Sequence, residues 1–147
     1  MSELIPEEST PIIPDDMLEQ AVLAAIMGTS GFPVDVEVAG RDGPVKAEIN
    51  VRWPNAREEG EIAMRATEYL GVSPDLATQA DYSFSRGRAV LEVLAVKPYP
   101  PVLQRLLVRG PDGREYLDTA NLKSRELPQK VWVRFNELKA RFQYLAF

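Results

Sequence analysis

The sequence predicts an α+β fold: an N-terminal β-hairpin packed on a small bundle of three to four α-helices. Three observations carry this. First, Val34, Val36 and Val38 alternate with Asp35 and Glu37, and beyond Gly40-Arg41-Asp42-Gly43-Pro44 the residues Val45, Ala47, Ile49 and Val51 alternate with Lys46, Glu48 and Asn50. Period two with β-branched residues on one side is the pattern of a half-buried hairpin. Second, Pro54 ends the second strand, and Asn55 with Glu58 three residues on has the spacing of a capping box that opens a helix. Third, Val131, Phe135, Leu138, Phe142 and Leu145 recur at four, three, four and three, one face of a final helix from about Pro128 to Tyr144.

Taken in order, residues 1 to 14 form a proline-rich, acidic leader, a composition that favours an extended segment over a packed one. The remainder, 15 to 147, reads as one α+β domain. Two apolar pairs interrupt the leader, Leu4-Ile5 and Ile12-Ile13, expected either to lie on the domain's own surface or stay disordered, or to serve as a docking segment for a partner. Asp15 and Asp16 open a first helix with the narrow stripe Leu18, Val22, Ala25 and Ile26, closed by Gly28 and Gly31. A helix this short is marginal alone, so packing on the domain is expected to hold it, with self-association left open.

After the hairpin, a helix from about Ala56 to Leu70 places Ile62, Ala66, Tyr69 and Leu70 on one face and ends at Gly71. Its acids Glu58, Glu59 and Glu61 are read as a solvated face balanced by Arg57 and Arg65. Ser73-Pro74-Asp75 has the form of another helix start, leading through Leu76, Ala80, Phe84, Gly87, Leu91 and Leu94 to Val96. This is expected to be the longest helix and the core one. Gly87 inside it points to close packing on a neighbour, and Arg86 and Arg88 beside it are expected to be exposed. Pro98-Tyr99-Pro100-Pro101 makes a rigid corner. Leu103, Leu106, Leu107 and Val108 then fit either a helix or a strand; Arg109 to Gly113 is a turn, and Tyr116-Leu117-Asp118 returns as a short strand.

Composition narrows the chemistry. A chain of 147 residues can bury a sizeable core without staples, and it contains no cysteine and no histidine. Disulfides, thiolate metal sites, the usual zinc ligands and the usual general base are thereby excluded. A net charge of −5 with interleaved signs argues against a nucleic-acid partner. No apolar run approaches a membrane span, and the acidic start is unlike a secretory signal, so the expected compartment is the cytoplasm. The glycines sit in turns between strand-like segments, not in a phosphate-cradling loop. No cofactor is expected. An enzyme using Glu58, Glu59 or Glu61 is the weakest of the readings.

The order of parts resembles the tail assembly chaperones of long-tailed bacteriophages. The residues that carry the likeness are Arg52-Trp53-Pro54-Asn55-Ala56-Arg57-Glu58 after a hairpin, then Ser73-Pro74-Asp75-Leu76-Ala77-Thr78-Gln79-Ala80 with Ala89-Val90-Leu91-Glu92-Val93-Leu94 and the proline corner. The closing Phe135-Asn136-Glu137-Leu138-Lys139-Ala140-Arg141-Phe142 is similar to that family's last helix. The likeness spans roughly Val34 to Phe142; the first helix and its leader lie outside it, and Asn55 stands where threonine is common. It implies a non-enzymatic protein of the host cytoplasm that binds the tape-measure protein, keeps its long helix soluble and helps recruit tail-tube subunits. It also leaves room for a longer, frameshifted product. The alternative is a structural component of a tail or neck retained in the virion. Residues nominated for partner contact are Ile12, Ile13, Tyr99, Trp132, Tyr144 and Phe147.

Overall fold

The computed structural model describes residues 13–28 and 30–147. Helix α1 (Asp15–Met27) comes first, followed by strands β1 (Phe32–Gly40) and β2 (Gly43–Val51). The strands pair antiparallel in the register Val34 with Ile49 and Val36 with Ala47. Burial follows the alternation at the base, where Phe32, Val34, Ile49 and Val51 are fully enclosed, and fades toward the turn, where Val45 is half exposed. Near the turn the Ala39 amide donates to Glu126 Oε1 at 2.6 Å, while Val38 is only partly buried.

Helix α2 (Ala56–Leu70) opens with the expected capping box: the Glu58 amide donates to Asn55 Oδ1 at 2.8 Å, and the Asn55 amide donates to Glu58 Oε1 at 3.2 Å. It stops at Gly71, whose φ of +71° is the left-handed conformation that spares a side chain its usual strain. Helix α3 (Gln79–Leu94) departs from the expected start. Pro74–Leu76 makes only one 3-10 turn, Ser73 makes no capping bond, and Leu76 is exposed. Ala77 then takes an extended backbone and breaks the path. A second capping box, Thr78 with Asp81, five residues after Ser73, satisfies the orphan donors instead.

Beyond the proline corner, the short helix α4 (Pro101–Gln104) and the strand β3 (Leu107–Arg109) divide the ambiguous stretch between them. Strand β3 pairs antiparallel with β4 (Glu115–Leu117) across the predicted turn. Helix α5 (Glu126–Phe142), continued by a 3-10 segment over Gln143–Ala146, is one residue longer than α3, which is therefore not the longest.

Helix α3 is nonetheless central, with α2 on one side and α5 on the other. Its close approach to α5 explains Gly87, where an added Cβ would lie 1.8 Å from the Pro128 carbonyl oxygen. The hairpin is tied to the far end of α3 by an Arg52 amide donating to the Leu94 carbonyl and a Val96 amide donating to the Asn50 carbonyl. One continuous apolar core joins α1, the hairpin, α2, α3, β4 and α5, and it contains the stripe Val131, Phe135, Leu138 and Phe142. The α5 stripe faces this chain's own interior.

Candidate functional site

Helix α1 docks through Leu18, Val22 and Ala25, which are buried. The opposite side carries Met17, Gln20, Ala24 and Met27 at spacings of three, four and three, with Leu23 beside them. Met17 is 59% exposed and Met27 80%. A helix apolar on two sides has more sticky surface than its own domain covers. Methionine there is suited to contacts of irregular shape, because its unbranched thioether chain adapts to many partners.

The C-terminal segment lies against α1. Arg141 pairs with Asp15 at 2.8 Å, and the Tyr144 hydroxyl, raised above the usual tyrosine range by desolvation first and then by its hydrogen bond to Glu19, belongs to the same junction. Tyr144 and Phe147 are both exposed. The aromatic end therefore sits at the start of α1, on the side of Asp15 and Glu19.

The six nominated residues are not gathered in one place. Ile12 lies outside the described residues, while Ile13, Tyr99 and Trp132 are half-buried against the core. Trp132 does not join Tyr144 and Phe147 in an aromatic patch; it packs on Phe135 and meets Tyr82 of α3 edge-on, with ring centres 6.3 Å apart. Met17, Leu23 and Met27 were not singled out from the sequence, although their helical spacing on the side away from Leu18 and Val22 was the available signal.

The acids of α2 are separated by their partners. Glu58 is buried, not solvated, and pairs with Arg52; Glu59 pairs with Lys139 and Glu61 with Arg65. Among the described residues no group of three acids is placed to hold a metal ion. Neither Arg86 nor Arg88 is the exposed charge expected, since both guanidinium groups lie on aromatic rings.

The most developed polar cluster is centred on Glu92 of α3. Its carboxylate accepts from Arg65 at 2.8 Å, from the Tyr69 hydroxyl and from the Thr119 hydroxyl, and Thr119 in turn accepts from Arg88 Nε at 2.9 Å. Each oxygen has a donor and the ring of contacts closes on itself, so the cluster ties α2, α3 and the segment before α5 together and leaves no group free to react. Desolvation, and then the bond to Glu92 and its charge, push the Tyr69 hydroxyl up to about 12. Raised in the folded state, this group adds stability below the ordinary tyrosine value of about 10 and loses it as pH climbs toward the folded value. Ultraviolet titration should show a late-ionising component, beyond that of Tyr144, that disappears in Tyr69→Phe, and the fall in melting temperature over that alkaline window should be shallower in the variant.

Two concavities flank the start of α3. A groove of about 560 Å³ runs between β1, α3 and α5 past Val36, Ala80 and Val133, and is bordered by Arg134 paired with Asp35 and Glu137. A cleft of about 370 Å³ lies between α2 and α3. Among the described residues no helix is long and apolar enough to cross a membrane. No family model, curated protein or solved structure matches the chain.

Proposed function

We propose that the protein is a tail assembly chaperone of a long-tailed bacteriophage, acting without catalysis in the host cytoplasm to bind the tape-measure protein and help recruit tail-tube subunits. The observation that carries the reading is the outward face of α1, where Met17, Leu23 and Met27 are exposed. A long amphipathic or apolar helix from a partner would cover such a surface by the helix-on-helix packing that already holds the other side of α1. The sequence likeness supplies the partner's class, and the paired state of the α2 acids and of Glu92 fits a protein that works through its surface.

Co-expression with a phage tape-measure protein tests the reading. The expected result is a soluble partner that elutes together with this chain; an insoluble partner and separate elution would overturn it. Met17→Glu combined with Met27→Glu should abolish the rescue while shifting stability by no more than about 0.5 kcal/mol, as exposed substitutions do. Mass spectrometry of purified virions separates the chaperone from a retained tail or neck component, because a chaperone is absent from the finished particle.

A further inference from the structure

Helix α1 is held unlike α2 and α3. Those two each open with a capping box, and α2 closes at left-handed Gly71. Helix α1 has neither device: Pro14 at its start makes no side-chain cap, Gly28 at its end is not left-handed, and its last turn carries no basic side chain to meet the exposed carbonyls. At 13 residues it is marginal as an isolated helix, so it depends on docking.

That docking is one-sided. Leu18, Val22 and Ala25 are buried, and the main contacts of the helix are with β1 and the C-terminal 3-10 segment. Among the described residues no backbone hydrogen bond joins α1 to another element. Its polar ties are Asp15 with Arg141, whose side chains are 62% and 46% exposed, and Glu19 with the Tyr144 hydroxyl. An ion pair so open to water adds little. By contrast, the hairpin is bonded to the end of α3 through its backbone, and α2 is tied to α3 through Arg65 and Glu92. The chain entering β1 is clamped as well: a Cβ at Gly31 would lie 2.7 Å from Val96 Cγ2 and 3.1 Å from the Val51 carbonyl oxygen. The firmly held part of the fold thus begins at Gly31, and α1 lies ahead of it.

We propose that α1 is a latch, a helix that undocks and redocks as one unit while the hairpin, α2, α3 and α5 stay folded. Docked, it presents Met17, Leu23 and Met27; released, it adds Leu18 and Val22 and uncovers its seat on β1. A partner that takes α1 on both sides selects the released state and supplies the packing its helix needs. The proposal does not rest on the chaperone reading, since it concerns an equilibrium of this chain alone.

Native-state hydrogen exchange of the full ¹⁵N-labelled chain in increasing, sub-denaturing urea tests it. The backbone amides of Val22 to Ile26 are expected to share one opening, roughly 100-fold more frequent than the one that exposes the amides of Leu91 and Leu138, with a urea dependence above zero and below that of global unfolding. Exchange of both sets through one opening with one urea slope would overturn the proposal, as would independent fraying of the α1 amides without urea dependence. Ile62→Val supplies a second comparison, because Ile62 is buried in α2 and its loss weakens the body of the fold while leaving the seat of α1 intact. Leu91 and Leu138 should then exchange about 2- to 10-fold faster with Val22 to Ile26 unchanged. Equal acceleration of the two sets would show that α1 opens only when everything does. The urea comparison is made on the unaltered protein and stands by itself.

Discussion

Replacing Phe135 with alanine is expected to lower the stability of the protein by about 3 to 5 kcal/mol, the range for truncating a large buried aromatic. Phe135 is 2% exposed. Its ring stacks on Phe32 of the hairpin at 6.3 Å and packs beside Trp132 at 6.4 Å, so one side chain joins α5 to the base of the sheet. Truncation removes the apolar contact and leaves a void walled by Phe32 and Trp132, both packed into the core. Such a site collapses poorly, which favours the upper part of the range. Equilibrium unfolding in urea measures the effect, and because a domain of ordinary stability has only about 5 to 15 kcal/mol in total, a substantial unfolded fraction at warm temperatures is expected. A loss below about 1 kcal/mol would mean that the α5 stripe is not enclosed by this chain and faces a partner instead.

The second large effect is one of sign. In an unencumbered helix, glycine to alanine stabilises by roughly 1 kcal/mol, because alanine loses less backbone freedom on folding. Gly60 in α2 is such a position: an added Cβ there meets nothing within 4 Å, and Gly60→Ala should stabilise by about that amount. Gly87→Ala should do the reverse. Its Cβ would lie 1.8 Å from the Pro128 oxygen and 2.4 Å from the Pro128 carbonyl carbon. These atoms are backbone, and no rotamer change moves them aside; α3 and α5 would have to separate along the contact that centres the fold. A destabilisation of about 3 kcal/mol, at the upper end of ordinary overpacking, is expected after the propensity gain is subtracted. Parallel unfolding curves of the two variants, displaced in opposite directions from the parent, would establish both. A Gly87→Ala variant as stable as the parent would show that the two helices do not touch at this point.

The same pair of glycines separates what is written locally from what is not. Hairpin alternation, the Asn55–Glu58 box, Gly71 as a stop and the α5 stripe were all legible, since each depends on residues two to four apart and on the pitch of a strand or helix. Where two local signals competed, tertiary context chose between them. Ser73-Pro74-Asp75 and Thr78-to-Asp81 are both sound helix starts, and the second prevailed because α3 must begin where it can lie between α2 and α5. Leu76, left ahead of that start, is consequently exposed instead of buried.

Charge was the least legible feature. Glu58, expected on a solvated face, is enclosed by Arg52 and the Asn55 amide; Arg86 and Arg88, expected to be exposed, lie on aromatic rings. Glu92 finds Arg65 27 residues away, and Arg134 finds Asp35 at a distance of 99 residues. Periodicity assigns a residue to a face of its own element and is silent on what that face meets. Residue order thus decides the elements and which of their sides are apolar, because those follow from backbone geometry over a few residues. Which charges are paired and which side of α1 remains open are decided only when distant elements dock, because contact energies depend on proximity in space and not along the chain.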